Sequence, residues 1–294
     1  MPASSVAPSL SADLDPIAAQ RWQRQRPLHS PWLHEEVAQR MLQRLDLIKL
    51  QPQQWLHWQA EQGGLQAHAA LLQRYPQAQA WRMPAIPRAR QPLASAAASD
   101  AGNRQPHAQQ PPPGSIDLLW ANLVLDKAPD PRATLAQWRR LLAPEGFVMF
   151  SVLGPASLQE LRSLYRHKGW GAPCHAFADL HDWGDAVQQA GFADVVMDAE
   201  RITLSFATPQ RLLQELRELG RNLSSARSQI TRGKGWLQAW HEAVQEALTQ
   251  PDGQLHLSFE ILYGHAVQGA QGRDEAGGVI VDLAHMRRML LGRR

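Results

Sequence analysis

Cysteine is almost absent, with Cys174 the single one in 294 residues. One cysteine excludes an internal disulfide and any metal finger built on paired thiolates, and it suits a reducing compartment. Charge is sparse as well: Asp, Glu, Lys and Arg make up 19% of the chain, with a net of +3. The basic residues are interleaved with acids and form no stripe, which argues against nucleic acid as a partner. No apolar run approaches the roughly 20 residues of a membrane span. The opening MPASSVAPSLSADLDP lacks the basic and apolar regions of an export signal. The expectation is a cytoplasmic protein without a membrane span. Phe and Tyr are few, 6 and 3, against 11 Trp, so tryptophan is expected to supply much of the aromatic core. A hydrophobic fraction of 44% is that of an ordinary globular chain.

Three stretches have little to bury. Residues 1–32 read as a flexible N-terminal segment, 84–115 as a low-complexity insert of Pro, Ala, Gln and Ser, and 268–294 as a tail. The tail ends in HMRRMLLGRR, a solvated basic end with an amphipathic helix as the alternative. Between them runs an alternation of strands and helices. Val37, Met41, Leu45 and Ile48 recur at helical spacing over 33–49. QWLHW at 54–58 reads as a short strand, 65–74 as a helix, 78–83 as a strand, and IDLLWANLVL begins as a buried strand. Asp130–Pro131 starts a helix whose apolar face is Leu135, Trp138 and Leu142, and FVMFSV at 147–152 is a buried strand. SLQE at 157–160 has the form of a capping box. Asp179 and Thr208–Pro209 open two further helices, the first burying Leu180, Trp183 and Val187. RITLSF and 255–263 alternate strictly, the latter with Leu255, Leu257, Phe259, Ile261 and Tyr263 on one face. Strands separated by helices imply a doubly wound, mostly parallel α/β sheet with an antiparallel edge, and 208–250 as a helical cap.

The succession of RLDLIKLQP, IDLLWANLVL, LAQWRRLLAPEGFVMFS and DWGDAVQQAGFADVVMDAERITLSF resembles the class I S-adenosylmethionine-dependent methyltransferases. The AGF, the ITLSF strand and the helix LLQELRELG narrow the resemblance to the malonyl-acyl-carrier-protein O-methyltransferases of biotin synthesis and their complex I assembly-factor relatives. It implies a seven-stranded Rossmann-like sheet over 33–267, S-adenosyl-L-methionine across the carboxyl ends of the first strands, and methyl transfer to a carboxylate of a substrate held by acyl carrier protein. Carboxylate methylation needs no strong base, because the carboxylate is itself the nucleophile. Alignment on the flanking LQP and RYP places WLHWQAEQG over the family's first motif, V-L-D-L-G-C-G-T-G. The cofactor-binding positions are then His57, Gln59, Glu61 and Gly63, joined by Asn122 and Leu123 after the fourth family strand.

At those positions the residues depart from the pattern. His57 replaces an acid, and Gln59 and Glu61 replace glycines that let backbone approach a ligand. The second strand runs into Pro84 where an acid is expected. The third strand and its acid would fall in the insert, where Asp100 is the only acid. The alternative function is therefore a pseudo-methyltransferase that binds a protein client. Trp55, Trp58 and Trp81 are expected to fill the cofactor position. On the acceptor side Tyr165, Arg217, Arg221 and Tyr263 are candidates for substrate binding, since an arginine grips a carboxylate with two parallel bonds. Cys174, His175, Asp179, His181, Asp182 and Asp185 are metal-ligating types close in sequence. The acids suit a helix start instead, so no metal is expected.

Overall fold

The computed structural model describes residue 10 and residues 13–25, 29–83, 110–228, 230 and 232–269. Six strands form one sheet: β1 (Gln54–Trp58), β2 (Gln79–Met83), β3 (Ile116–Asn122), β4 (Leu142–Leu153), β5 (Phe192–Phe206) and β6 (Leu255–Gln268). Their spatial order is β2-β1-β3-β4-β6-β5. β1 pairs in parallel with β2 and β3, and β3 with β4, whereas β6 runs antiparallel to both β4 and β5. The reversed pairing falls at this end of the sheet, as the alternating late strands imply, with β5 outermost. In place of seven strands there are six among the described residues. The strand expected within the insert would lie in 84–109, outside those residues. After β2 the chain returns to the far side of β1, so strand order reverses between β1 and β3. A crevice at the carboxyl ends of these two strands follows, as in other open α/β sheets.

Helices cover both faces. On one lie α2 (Trp32–Leu45), α4 (Leu65–Arg74), α6 (Gln159–Lys168), α8 (Pro209–Leu219) and α9 (Lys234–Leu248), packed through Val37, Met41, Leu71, Leu164, Leu212 and Trp240. On the other lie α5 (Pro131–Leu141) and α7 (Leu180–Gln189), through Leu135, Trp138, Trp183 and Val187. Side-chain alternation along a strand decides which layer each tryptophan joins. Trp55 faces the α2 layer, whereas Trp58 and Trp81 face the α5 layer, where Trp58 meets Trp138 edge-on at 5.8 Å. The three rings therefore do not converge to fill one site. An odd step along β1 separates Trp55 from Trp58, and the register pairs Trp81 with Leu56, not Trp55.

Local signals set most helix starts. Asp130, Asp179 and Thr208 each accept a hydrogen bond from the backbone N–H three residues on. The capping box at 157–160 does not form. Leu158, with φ 58°, is the cap of α6, and it makes no side-chain cap bond. Ser157 instead bonds strand β6, donating to the Glu260 carbonyl at 3.0 Å and accepting from the Glu260 N–H at 3.0 Å. Tertiary pairing thus takes the hydroxyl a local cap would use. Part of the segment read as a flexible N-terminus is also ordered: α1 (Pro16–Gln25) packs Ala19 and Trp22 against Leu14 and Leu223. Asp15 pairs with Arg227 at 2.7 Å. The apolar spacing of this short helix is invisible without Leu223 as its partner. The basic end of the chain lies outside the described residues. Among the described residues, no helix is long and apolar enough to cross a membrane.

Candidate functional site

The turn after β1 is the first part of the crevice. His57 is fully buried, and neither ring nitrogen makes a hydrogen bond among the described residues. Burial holds its pKa well below the ordinary histidine value, with His68 and Arg82 adding to the effect, so the imidazole is neutral. It sits against Gly63, where an added Cβ would lie 2.9 Å from His57 Nε2. Gly63 is therefore held to glycine by His57. Gln59 takes the left-handed conformation at φ 57° and starts α3 (Ala60–Gly63), a single helical turn in place of an open glycine loop. Glu61 turns toward β2, where its Oε1 accepts from Arg82 Nε at 3.1 Å and Nη2 at 2.8 Å. The negative charge of Glu61 is thereby matched by a cation from the neighbouring strand.

The turn after β3 is built differently. Asn122 is fully buried. Its Nδ2 donates to the His34 carbonyl at 2.7 Å and the Gly63 carbonyl at 2.6 Å, while its Oδ1 accepts from Ser151 Oγ at 2.6 Å. One side chain thus joins α2, α3, β3 and β4. Leu123 follows at φ 51° and donates its N–H to the Ser151 carbonyl at 3.0 Å.

Beyond Leu123 opens a cleft of about 230 Å³, roofed by α8 and walled by α6 and residues 173–177. It brings together three of the four expected substrate residues: Tyr165, Arg217 and Arg221. Tyr165 accepts from Trp240 Nε1 at 3.0 Å, and burial raises its pKa. Arg217 and Arg221 are exposed at the mouth, with Arg221 donating to the Arg217 carbonyl at 2.7 Å. Tyr263 is not there. Its hydroxyl donates to Glu200, the Arg44 guanidinium lies 3.7 Å over its ring, and burial pushes its pKa up. Phe259 lines the cleft, and Tyr263, four residues further along β6, sits about 13 Å beyond it at the usual strand rise. Of the cofactor positions, Leu123 alone lines the cleft; Asn122 and Gly63 lie beneath it as support.

The cleft also holds three residues that motif reasoning did not select for the site: His34, Lys127 and His175. His34 is buried, with Nδ1 2.7 Å from the Gln62 carbonyl. A carbonyl only accepts, so Nδ1 carries the proton and Nε2 is the acceptor, 3.4 Å from Lys127 Nζ. Burial, helped by the Lys127 charge, holds His34 neutral. Lys127 also donates to the Leu219 carbonyl at 3.2 Å. His175 is 5% exposed, and its ring nitrogens make no hydrogen bond among the described residues. The one sequence signal was the position of Lys127, just past the carboxyl end of a buried strand. His175 stood out only as a metal-ligating type, and Asp179, grouped with it, is a helix cap.

A family profile described as "Methyltransferase domain" matches residues 66–196. A malonyl-acyl-carrier-protein O-methyltransferase of Halorhodospira halophila is 35% identical over 267 residues, covering 87% of this chain and 89% of that protein. The Gallionella capsiferriformans protein of the same name is 35% identical over 262 residues, covering 85% and 88%. Among solved structures, a Haemonchus contortus phosphoethanolamine N-methyltransferase aligns at 15% identity and a TM-score of 0.46, covering 82% of this chain and 54% of that one. That likeness is too weak to carry weight. The sequence relatives give no support to a client-binding pseudo-methyltransferase.

Proposed function

This chain belongs to the malonyl-acyl-carrier-protein O-methyltransferase family, and we propose that it methylates the free carboxylate of a malonyl thioester borne by acyl carrier protein, with S-adenosyl-L-methionine as the methyl donor. The observation that carries the reading is identity of about a third maintained along nearly the whole of both chains. An apolar cleft with cationic groups, at the carboxyl end of a doubly wound sheet, is the kind of place such an acceptor needs. The carboxylate arrives as its own nucleophile. The work left to this chain is to orient that oxygen and keep water away, for which Leu123, Leu158, Leu161 and Tyr165 provide an apolar wall.

The residues of the β1 turn do not fit the donor's usual cradle. Gln59 and Glu61 project side chains where backbone would meet the ligand. The Glu61–Arg82 pair spans the tops of β1 and β2, and Trp58 and Met83 end these strands without an acid. The reading therefore rests on the sequence relatives and not on the β1 turn. His57, Gln59, Glu61, Gly63, Asn122 and Leu123 remain proposed as the surroundings of the donor, and Tyr165, Arg217 and Arg221 as those of the acceptor.

The test is to incubate the full chain with malonyl-acyl carrier protein and S-adenosyl-L-methionine and weigh the carrier by mass spectrometry. A carrier heavier by one methyl ester is expected. An unchanged carrier at millimolar donor would overturn the reading.

A further inference from the structure

Two polar side chains line the cleft beside its apolar walls, Lys127 and His175. His175 is nineteen-twentieths buried, and neither ring nitrogen has a partner at full hydrogen-bond geometry among the described residues, with the Asp126 backbone and charge nearby. A buried imidazole in that state costs folding free energy unless something meets it. Lys127 lines the same cleft, its ammonium beside the His34 imidazole and the Leu219 carbonyl. It is close enough to His175 for its charge to help keep that ring neutral, after burial and against the opposing charge of Asp126. Asp126 is itself buried but does not line the cleft. The surrounding walls are apolar, with Leu123, Leu158, Phe177 and Phe259 among them. A neutral imidazole and a cation lining one largely apolar pocket match a small carboxylate.

We propose that Lys127 and His175 hold the acceptor's carboxylate in the cleft and that His34 is the positioning residue for Lys127. The assignment rests on the proposed acceptor and names which residues recognise it. His34 does its part through its tautomer. The Gln62 carbonyl fixes the proton on Nδ1, so Nε2 presents a lone pair to the ammonium, and the Leu219 carbonyl holds the ammonium from a second side. The Asn122 side chain bonds the His34 carbonyl and the Gly63 carbonyl together. The carboxylate end of the cleft is in this way fastened to the turn that follows β1.

The experiment is calorimetric titration of the full chain, without methyl donor, with malonyl-pantetheine and with acetyl-pantetheine. The parent is expected to prefer the malonyl probe by about tenfold or more, the size of a charge-assisted contact. Lys127→Met should bring the two affinities together, Lys127→Arg should keep most of the preference, and His175→Phe should weaken only the malonyl probe. His34→Leu should reduce the preference, as Lys127→Met does. Melting temperatures and circular dichroism of every variant show that the fold is retained. A parent without preference, or a Lys127→Met variant that keeps it, would overturn the assignment. These outcomes are separable from the methylation test. Methylation with an unaltered preference in Lys127→Met sinks this assignment alone, and a Lys127-dependent preference without methylation sinks only the proposed reaction.

Discussion

The turns after β1 and β3 sit side by side at the carboxyl edge of one sheet, and they have been treated very differently. After β3, the polar side chain of Asn122 is matched atom for atom by His34, Gly63 and Ser151. After β1, a fully buried histidine has neither nitrogen hydrogen-bonded among the described residues, a non-glycine residue adopts a left-handed conformation, and a glutamate leans across to an arginine on the next strand. The first arrangement ties α2, α3, β3 and β4 together through one side chain. The second is a turn whose parts are compensated one by one without restoring an open loop. A family fold therefore tolerates heavy change at one edge position while the neighbouring position, three segments deep in hydrogen bonds, stays ordered.

The comparison can be broken hardest by pH. His34 belongs to the acceptor side and His57 to the β1 turn, and burial depresses both pKa values well below 6.5. The unfolded chain takes up those protons below about pH 6.5 and the folded chain does not, so stability is full above that value and falls as pH falls. Each histidine contributes a slope of about 1.4 kcal/mol per pH unit. Between pH 6.5 and 5 stability should fall, followed by urea denaturation at each pH, with His175 and His265, whose pKa values burial also lowers, adding to the pair. His57→Leu should flatten the slope by its own share and cost little stability, since no hydrogen bond is lost. His34→Leu should flatten it likewise but also remove one of two hydrogen bonds at the Gln62 carbonyl, where Ser30 Oγ at 3.1 Å keeps the other. Equal behaviour of the two variants would mean that the turns are not energetically distinct.

Next in size is Asn122→Ala. It removes a side-chain partner from two buried carbonyls and from the Ser151 hydroxyl, which keeps the bond from the Leu123 N–H, and about 3 kcal/mol of stability should go, read as a fall in melting temperature. A loss below about 1 kcal/mol would show that water replaces the clamp. Smaller again is restoration of the loop. Gln59→Gly with Glu61→Gly should raise affinity for S-adenosylhomocysteine about tenfold, equivalent to about 1.4 kcal/mol, in a calorimetric titration. Unchanged affinity would mean that the side chains of the β1 turn do not limit donor binding. The smallest effect is expected of Arg82→Met. The Glu61 pair is partly open to solvent, so its loss should cost about 0.5–1 kcal/mol in denaturation.

Much of the fold was legible because its signals are local. The helix starts at Asp130, Asp179 and Thr208 each need only a side chain three residues from the N–H it caps. The alternation of Leu255 through Ile261 needs only a strand with one face on a core. The site was legible in part: Tyr165, Arg217 and Arg221 meet in the cleft, but Tyr263 belongs to an ion-pair network, and Lys127, His175 and His34 were not selected for the cleft. These misses share a cause. Strand register and the packing of α2 against β3 decide which polar residues share a cavity, and neither leaves a mark on neighbouring positions in the chain.

Sequence by itself determined the alternation of strands and helices, their caps, the family to which the chain belongs, and the loss of glycines after β1. Those follow from periodicity, backbone freedom and inherited residue order. Only the tertiary structure decided what became of the substituted side chains. Arg82 reaches Glu61 across 21 residues, Glu260 takes Ser157 across 103, and Asn122 joins His34 and Gly63 across 88 and 59. A buried polar group must find its partner wherever folding brings one, and at such separations the partner is chosen by the sheet.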